Sequence, residues 1–515
     1  MLKLLERLFH ELDAHHLTYC HWKSNMALPA GLDGRTDIDL LLRPESAAAF
    51  GTIMRRLGFR QAEMGDGEAF PEMEHFYGLD EQTGVLAHVH TYYAVITGES
   101  LAKNYRLPLN ERLFANRHRQ EGVWVPTKSA ELVIFTVRMM LKHTALVELL
   151  LLMRDWGRVK EEAAWLTEGG SIRKSLGLLR EWLPSIDAAL FSRCVSALSG
   201  RGSLLRRIAL GYRLRGRLRP YARRAAVGSS LAGLRTFAAL VLRRMKRSGK
   251  SMALRSGGAV IAFVGPEATG KSTLLGEAKG WLGEHFSVEQ IHAGKPKSTA
   301  LSAAPNLLVP MLRSLLPSYR SGNVELQRSE GEAGASGKPG KPYPLIFGIR
   351  SVLLAYDRRS LLTRARARAG RGTIVLCDRY PSTRPGATDS PQLASFDVSR
   401  RSPVRYLLAR LEKRLYDDIP PPDLVITLTV PLEVALERNR SRGKEEPEEF
   451  VRRRHAQAAQ QVFENALVVT LCTDRPLDQT VADMKRAIWQ ALGGPNATSD
   501  VIQHATQGYS HARSR

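Results

Sequence analysis

The sequence predicts an α/β protein whose C-terminal half forms a doubly wound parallel sheet, preceded by an α+β domain and a helical, basic connecting region. Three observations support this prediction. From Gly257 onward, short apolar runs alternate with stretches of helical spacing, the order that builds parallel sheets. A glycine-rich turn that starts at Gly265 separates the first apolar run from the first helical stretch. Residues 1–127 instead mix short strands with helices, which indicates a separate domain.

The C-terminal domain is expected to cover residues 256–493. Its predicted strands lie at 259–264, 288–292, 373–378, 423–430 and 466–472. Its predicted helices lie near 271–284, 350–369, 432–442, 449–463 and 478–491. Residues 329–344 are rich in Gly, Ser and Pro, which predicts a mobile insertion. The polar residues 494–515 predict a disordered tail.

The chain before this domain is divided by pattern into three segments, namely 1–127, 128–200 and 201–255. The first contains predicted strands at 18–22 and 38–42 and a hairpin with strands at 75–79 and 86–93. The second has apolar residues at helical spacing. The third is rich in arginine with interleaved leucine and lacks Asp and Glu, so it is expected to form a basic linker or amphipathic helices.

The net charge, the cysteines and the apolar runs indicate which class of protein this is. The chain has 515 residues and a formal net charge of +24, which implies attraction to phosphates, nucleic acid or anionic lipid heads. The cysteines are scattered and form no CxxC pair, a pattern typical of reduced thiols in a cytoplasmic protein. The amphipathic N-terminus has no signal-peptide core. No apolar run is long enough to predict a spanning helix.

A run after the first predicted strand has the pattern G-x-x-x-x-G-K-[ST]. Glycines let backbone N–H groups curl around phosphate oxygens, and the following helix adds a favourable dipole, so this pattern predicts a nucleotide-phosphate site. Lys271 would reach the β- and γ-phosphates of ATP, and Ser272 would bind Mg²⁺. The run comprises Gly265, Pro266, Glu267, Ala268, Thr269, Gly270, Lys271, Ser272 and Thr273.

Two further elements fit the same chemistry. The apolar run 373–378 ends in Asp378, which would place a magnesium-binding carboxylate beside the loop. Arg379 follows it directly. A basic cluster that includes Arg438 and Arg442 comes after a later strand, at the place of a lid over ATP. Arginines in such a lid can stabilise charge on the transferring group.

Together, the loop, the Asp-Arg-Tyr motif at 378–380 and the run PDLVITLTVPLEVALERNRSRG resemble the thymidylate kinase family of P-loop nucleoside monophosphate kinases. The resemblance extends from 257 to 493 and implies a kinase that uses ATP and Mg²⁺. The implied acceptor is a nucleoside monophosphate, with dTMP converted to dTDP, or a related phosphorylated compound. By the same resemblance, Glu267 would contact the acceptor sugar and Arg379 would lie near the acceptor phosphate. A basic lid is expected because neither Ala268 nor Thr269 is arginine.

The acceptor side departs from that family. After the Asp-Arg-Tyr motif, the family usually has a Ser and then an Ala-Tyr-Gln stretch that helps to recognise thymine. Here residues 381–391 read PSTRPGATDSP. Phosphoryl transfer is therefore better supported than thymidylate as the acceptor.

The N-terminal segment carries Lys23-Ser24 and then, after a spacer, Asp37-Ile38-Asp39. Alternate strand residues face the same side, so Asp37 and Asp39 can bind a divalent metal together. This arrangement resembles the nucleotidyltransferase fold of the DNA polymerase β superfamily. Lys23 stands where that superfamily has a glycine, and no third carboxylate is evident. The later strand instead has His88 and His90, which fit metal ligands or ordinary core and edge histidines equally well.

The basic segment 201–255 leaves three interpretations open. It could be a solvated linker, a pair of helices on an anionic membrane surface, or, less favoured because few aromatic residues are interleaved, a nucleic-acid site. Two alternatives to the kinase follow. One is metal-dependent nucleotidyl transfer by the N-terminal domain. The other is a nucleotide-binding scaffold peripheral to the inner membrane face.

Overall fold

The computed structural model describes residues 1–64, 72–98, 103–142, 156–223, 252–297, 299, 345–385, 387, 389–395, 402–441 and 448–493. Several predictions fall outside these residues: the insertion at 329–344, the tail at 494–515, Arg442, and the part of the basic segment at 224–251. The chain divides into two compact units, Met1–Lys250 and Ser251–Arg515. Each unit is built around its own sheet.

A mixed sheet forms the centre of the first unit. Its strands are β1 (Tyr19–His21), β2 (Ile38–Leu42), β3 (Arg60–Met64), β4 (Met73–Leu79) and β5 (Leu86–Tyr92). In space they follow the order β1-β2-β5-β4-β3, with β2 and β5 parallel and the other pairs antiparallel. The predicted hairpin is confirmed as β4–β5. All five residues of β2 are buried, as expected for its apolar run.

Short helices and two ribbons complete the α+β part of the first unit. Helix α1 turns Leu4, Leu5, Leu8, Phe9 and Leu12 into the core, which is the spacing of an amphipathic helix. The other elements are α2 (Leu28–Leu32), α3 (Ala47–Arg56), β6 (Val95–Thr97), β7 (Tyr105–Leu107), α4 (Asn110–Ala115), β8 (Arg117–Gln120) and β9 (Val123–Pro126), with α1 itself at Lys3–Ala14.

A helical bundle follows, as the spacing in 128–200 predicts. Its helices are α5 (Lys128–Lys142), α6 (Trp156–Thr167), α7 (Ser171–Trp182), α8 (Ala188–Leu198) and α9 (Leu204–Arg217). Helix α5 contacts all four others, and this central position explains why it is apolar nearly all round. Helix α9 lies at the start of the basic segment and packs Leu210 and Leu214 into the bundle core.

The second unit contains a fully parallel sheet, as predicted. Its strands are β11 (Val260–Val264), β12 (Val288–His292), β13 (Ile374–Asp378), β14 (Leu424–Thr429) and β15 (Leu467–Cys472), after a short β10 (Met252–Leu254). The order is β12-β13-β11-β14-β15, and each neighbouring pair is parallel. Strand β11 is therefore central, and the chain moves away from it in both directions. Ligands of open α/β sheets bind beyond the carboxyl ends of the strands at such a switch point.

Six helices are described around this sheet. They are α10 (Lys271–Gly283), α11 (Leu345–Ala369), α12 (Pro403–Asp417), α13 (Leu432–Ser441), α14 (Glu448–Ala459) and α15 (Leu477–Ala491). The predicted helices are confirmed, although α14 ends four residues before the predicted end at 463. Helix α12 was not predicted. Within the described residues, no helix combines the length and apolar character that crossing a bilayer requires.

Candidate functional site

The glycine-rich loop lies at the carboxyl end of the central strand, between β11 and α10. Gly265 has φ 139°, and a Cβ on it would lie 2.5 Å from the carbonyl oxygen of Leu428 on β14. Gly270 has φ 80° and precedes the first residue of α10. Both positions favour glycine, since the left-handed region penalises a side chain. The two glycines thus shape the predicted run into a compact turn.

Helix α10 begins at Lys271, directly after this turn. The first turn of a helix presents N–H groups without intrahelical partners, and the helix dipole adds partial positive charge there. Ser272 and Thr273 lie exposed in that turn. The loop and the helix start therefore form an arrangement suited to phosphate oxygens.

The Lys271 side chain lies back across the loop. Its Nζ donates hydrogen bonds to the carbonyl oxygen of Gly265 at 2.8 Å and to that of Pro266. Burial, and then the charge of Arg379, lower the pKa of Lys271 to about 8, while Asp378 and Glu267 act in the opposite direction. The lysine, the carboxylates and the arginine predicted for this site are therefore close enough to interact electrostatically.

Strand β13 places Asp378 next to the central strand. Asp378 is opposite Phe263 in the parallel register, and its side chain is 24% exposed, with His292 Nε2 at 3.8 Å from Oδ2. The chain then turns away at Arg379, whose φ is 69° and whose N–H donates to the carbonyl oxygen of Phe263 at 3.0 Å. The predicted pair of acidic and basic residues therefore lies at the same sheet edge as the loop.

A buried ionic network beside Arg379 was not predicted. Asp389 accepts from Arg379 Nη1 at 3.3 Å through Oδ2, and from Arg358 Nη2 at 2.5 Å through Oδ1. The Arg358 side chain is 5% exposed and also donates to the carbonyl oxygen of Ala293 at 3.1 Å and to the Tyr416 hydroxyl. One carboxylate thus orients two guanidinium groups. These residues come from separate segments, and no local motif announces them.

Arg438 on α13 and Arg454 on α14 both contact the glycine-rich loop. Arg438 donates to backbone oxygens, from Nη2 to that of Thr473 at 2.8 Å and from Nη1 to that of Ala268 at 3.3 Å. Arg454 on α14, which was not predicted, forms an ion pair with Glu267 Oε2 at 2.6 Å. Arg438 therefore joins the loop to the end of β15, and its proposed role in charge stabilisation stays a prediction.

The donor groups at this site suit magnesium. Mg²⁺ prefers oxygen ligands and commonly binds through one or two protein groups together with substrate phosphates. Ser272 supplies an exposed hydroxyl at the helix start, and Asp378 supplies a partly exposed carboxylate at the neighbouring strand end. Both residue types fit the ion.

The predicted carboxylates of the first unit do share one face of the sheet. His90 lies 3.3 Å from Asp39 Oδ1 through Nδ1 and 3.7 Å from Asp37 Oδ2 through Nε2. Lys23 Nζ forms an ion pair with Asp39 Oδ1 at 2.9 Å. Burial acts to raise the pKa of Asp39, but Lys23 and His90 hold it well below its usual range. Both carboxylates are thus ionised acceptors with cationic or imidazole partners, and metal binding by them stays a prediction.

Further basic side chains surround Lys23. Its Nζ donates to the Tyr92 hydroxyl at 2.9 Å, and Lys103 Nζ lies 5.4 Å from the centroid of the Tyr92 ring. Burial lowers the pKa of Lys103 to about 7, with Lys23 and Arg138 contributing repulsion. This part of the unit therefore concentrates positive charge beside Asp39, a feature that only the folded arrangement reveals.

Comparison with known proteins gives little beyond these observations. No protein-family model matches the chain, and no curated protein matches it. Among solved structures, a thymidylate kinase from Candida albicans is similar at 15% identity over 45% of this chain and 91% of that chain, with a TM-score of 0.26. The work on that enzyme concerns its broad substrate specificity and a novel structural element. So low a TM-score carries no weight for function.

Proposed function

We propose that the second unit is a P-loop kinase that transfers the γ-phosphoryl group of ATP to a small phosphorylated acceptor. The observation that carries the proposal is the position of the glycine-rich loop. It joins the central strand β11 to the start of α10 at the switch point of a parallel sheet, with Asp378 in register on the adjacent strand. Phosphoryl transfer depends mainly on positioning and charge stabilisation, and this arrangement supplies groups for both.

The glycine-rich loop would bind ATP, the phosphoryl donor. Backbone N–H groups of the loop and of the first turn of α10 would bind the phosphates of ATP, and Lys271 would move from the loop carbonyls to the β- and γ-phosphates. Ser272 and Asp378 would hold Mg²⁺, which supplies neutralisation of the phosphate charge when bound. Because Arg438 binds the carbonyl of Ala268, it would keep the loop in shape.

The acceptor side centres on Arg379. Its side chain is 35% exposed, and its Nη1 lies 3.3 Å from Asp389 Oδ2. A guanidinium oriented in this way suits a phosphate, which it can bind through two parallel hydrogen bonds. The acceptor would therefore carry a phosphate of its own, as a nucleoside monophosphate does. Thymidylate is one candidate, and the segment 381–391 would decide among acceptors.

The test compares Lys271→Ala with Lys279→Ala, an exposed lysine on the same helix. ADP release is measured with ATP and Mg²⁺ against a panel of nucleoside monophosphates, thymidylate included, phosphorylated sugars, and the unphosphorylated counterparts of both. With the preferred acceptor, Lys271→Ala is expected to lower kcat by about 10²–10³-fold, since it removes a charge aimed at the transferring group. Lys279→Ala is expected to match the unmodified protein.

Two results would contradict the proposal. One is full ATP-dependent transfer by a Lys271→Ala protein that melts at the temperature of the unmodified chain. The other is acceptor-dependent ADP release with unphosphorylated compounds only, which would remove the assigned role of Arg379.

A further inference from the structure

Three histidines of the first unit meet on one face of its sheet, whereas the proposed kinase site belongs to the second unit. They are His75 on β4 and His88 and His90 on β5. His75 is directly opposite His90 in the antiparallel register, and Tyr77 is opposite His88. Residues two apart on a strand share a face, and directly opposed residues do as well. Strand pairing therefore brings all three imidazole rings to one place.

The distances between the rings are those of a ligand cluster. His75 Nδ1 lies 3.3 Å from His88 Nε2, and one nitrogen from each of the three rings lies within 4.8 Å of the others. An ion at about 2.0–2.1 Å from each of two nitrogens in tetrahedral geometry holds them about 3.4 Å apart. The His75–His88 pair already has that spacing, and a His90 nitrogen lies within 4.8 Å of both, so His90 would have to move closer on binding.

The Asp37 carboxylate forms a hydrogen bond with one of these histidines, His88. Its Oδ1 lies 2.8 Å from His88 Nδ1, so the carboxylate can accept a hydrogen bond from Nδ1–H, which leaves the Nε2 lone pair facing His75. Histidines that bind metals usually donate the other ring N–H to a carboxylate in this way.

Imidazole ligands also select the kind of ion. They suit zinc and other first-row transition metals, whereas magnesium and calcium prefer oxygen. We propose that His75, His88 and His90 form a binding site for a divalent transition-metal ion, with Asp37 orienting His88. Three protein ligands leave one position of a tetrahedral ion open, as in catalytic zinc sites. The side chains of His88 and His90 are 13% and 17% exposed, so an ion can reach them.

The site would also connect with the two carboxylates. His90 is in register with Asp39 on the parallel strand β2 and contacts both Asp37 and Asp39. An ion bound to His90 would therefore place a positive charge beside the predicted Asp37–Asp39 pair. The alternative arrangement is a stack of neutral histidines joined by a hydrogen bond from His75 to His88, with no affinity for metal.

The test uses the full chain, stripped with a chelator and titrated with Zn²⁺ by calorimetry, in the absence of ATP. We expect one tight equivalent per chain, lost or weakened at least 100-fold by His88→Ala. Asp37→Asn should keep the stoichiometry and weaken binding by about 10–100-fold. His118→Ala, at an exposed histidine on β8, is the matched control and should bind as the unmodified chain does. Lys271→Ala should also bind normally, which separates this site from the proposed kinase.

Cobalt substitution keeps the test decisive if a histidine variant fails to fold. Co²⁺ bound to the unmodified chain is expected to give the intense visible absorption of a four-coordinate site, displaced by one equivalent of Zn²⁺. An octahedral spectrum, no stoichiometric binding, or Zn²⁺ binding that a folded His88→Ala protein retains would each overturn the proposal.

Discussion

The two candidate sites of this protein are built in opposite ways. In the second unit, the glycine-rich loop is one uninterrupted run, and its shape comes from backbone conformation at Gly265 and Gly270. In the first unit, side chains from Lys23, Asp39 and the histidines of β4 and β5 come together only because strands pair in a particular register. A site made by the main chain leaves one continuous motif in the sequence, whereas a site made by cross-strand side chains is spread over separate segments, and their proximity depends on strand register.

The largest expected effect concerns Arg358. This side chain comes from α11, outside the glycine-rich loop, and contacts Asp389 beside Arg379. Arg358→Met would leave the Asp389 carboxylate, which is only 12% exposed, without its main partner. Breaking a buried ion pair by removing one partner typically costs about 3–5 kcal/mol. We expect this loss in the free energy of unfolding, measured by urea titration of the full chain. Activity should fall as well, because Asp389 would no longer hold Arg379 in place.

Arg359→Met is the matched control for that variant. Arg359 pairs with Asp418, and both side chains are more than 40% exposed, so a loss below about 1 kcal/mol is expected. Equal losses for the two variants would show that the buried network is not what supports the acceptor side.

A second prediction concerns Glu131, which supports the turn after Lys23. Glu131 is buried, and its Oε1 accepts from the backbone N–H of Asn25 at 2.9 Å. Burial raises its pKa from 4.5 to about 7, with Glu162 adding repulsion and Arg138 opposing it. Between these two values the folded state binds more protons than the unfolded state, so this group's contribution to stability falls as pH rises.

Glu131→Gln should remove that pH dependence. The difference between the two pKa values corresponds to about 3 kcal/mol, so the variant should be more stable than the unmodified chain at pH 8, by up to that amount. The advantage should shrink towards pH 5, where the unmodified carboxyl is protonated in the folded state. Urea titrations at several pH values measure it. An advantage that is constant with pH would show that Glu131 does not titrate in this range.

The smallest expected effect concerns the loop backbone. Gly265→Ala would place a Cβ against the Leu428 carbonyl at a strained φ, and such strain costs about 1–3 kcal/mol. Gly276→Ala on α10 meets no atom within 4 Å and should gain up to about 1 kcal/mol. ATP affinity, measured by calorimetry, should fall only for Gly265→Ala. Unchanged affinity in that variant would show that loop shape is not critical.

Much of the architecture was accessible from local pattern. All the strands predicted in the second unit and the β4–β5 hairpin of the first are confirmed, because apolar runs and turn residues are local signals. Helix α12 was missed, although Pro403 at its start and the spacing of Val404, Leu407 and Leu411 are typical of a helix. The roles predicted for Lys271, Asp378 and Arg379 stay predictions, and the structure places these residues near one another.

The sequence by itself determined the alternation of strands and helices, the parallel sheet that follows from it, and the loop at Gly265–Thr273. These are properties of neighbouring residues, since periodicity and backbone freedom act over a few positions. Only the tertiary structure decided that Arg358 and Arg379 share Asp389, that Arg454 pairs with Glu267, and that His75 meets His88 and His90. The Arg358–Asp389 and Arg454–Glu267 contacts join separate segments of the chain, and the histidine contacts join neighbouring strands. Helix packing and the exact strand register bring these side chains together.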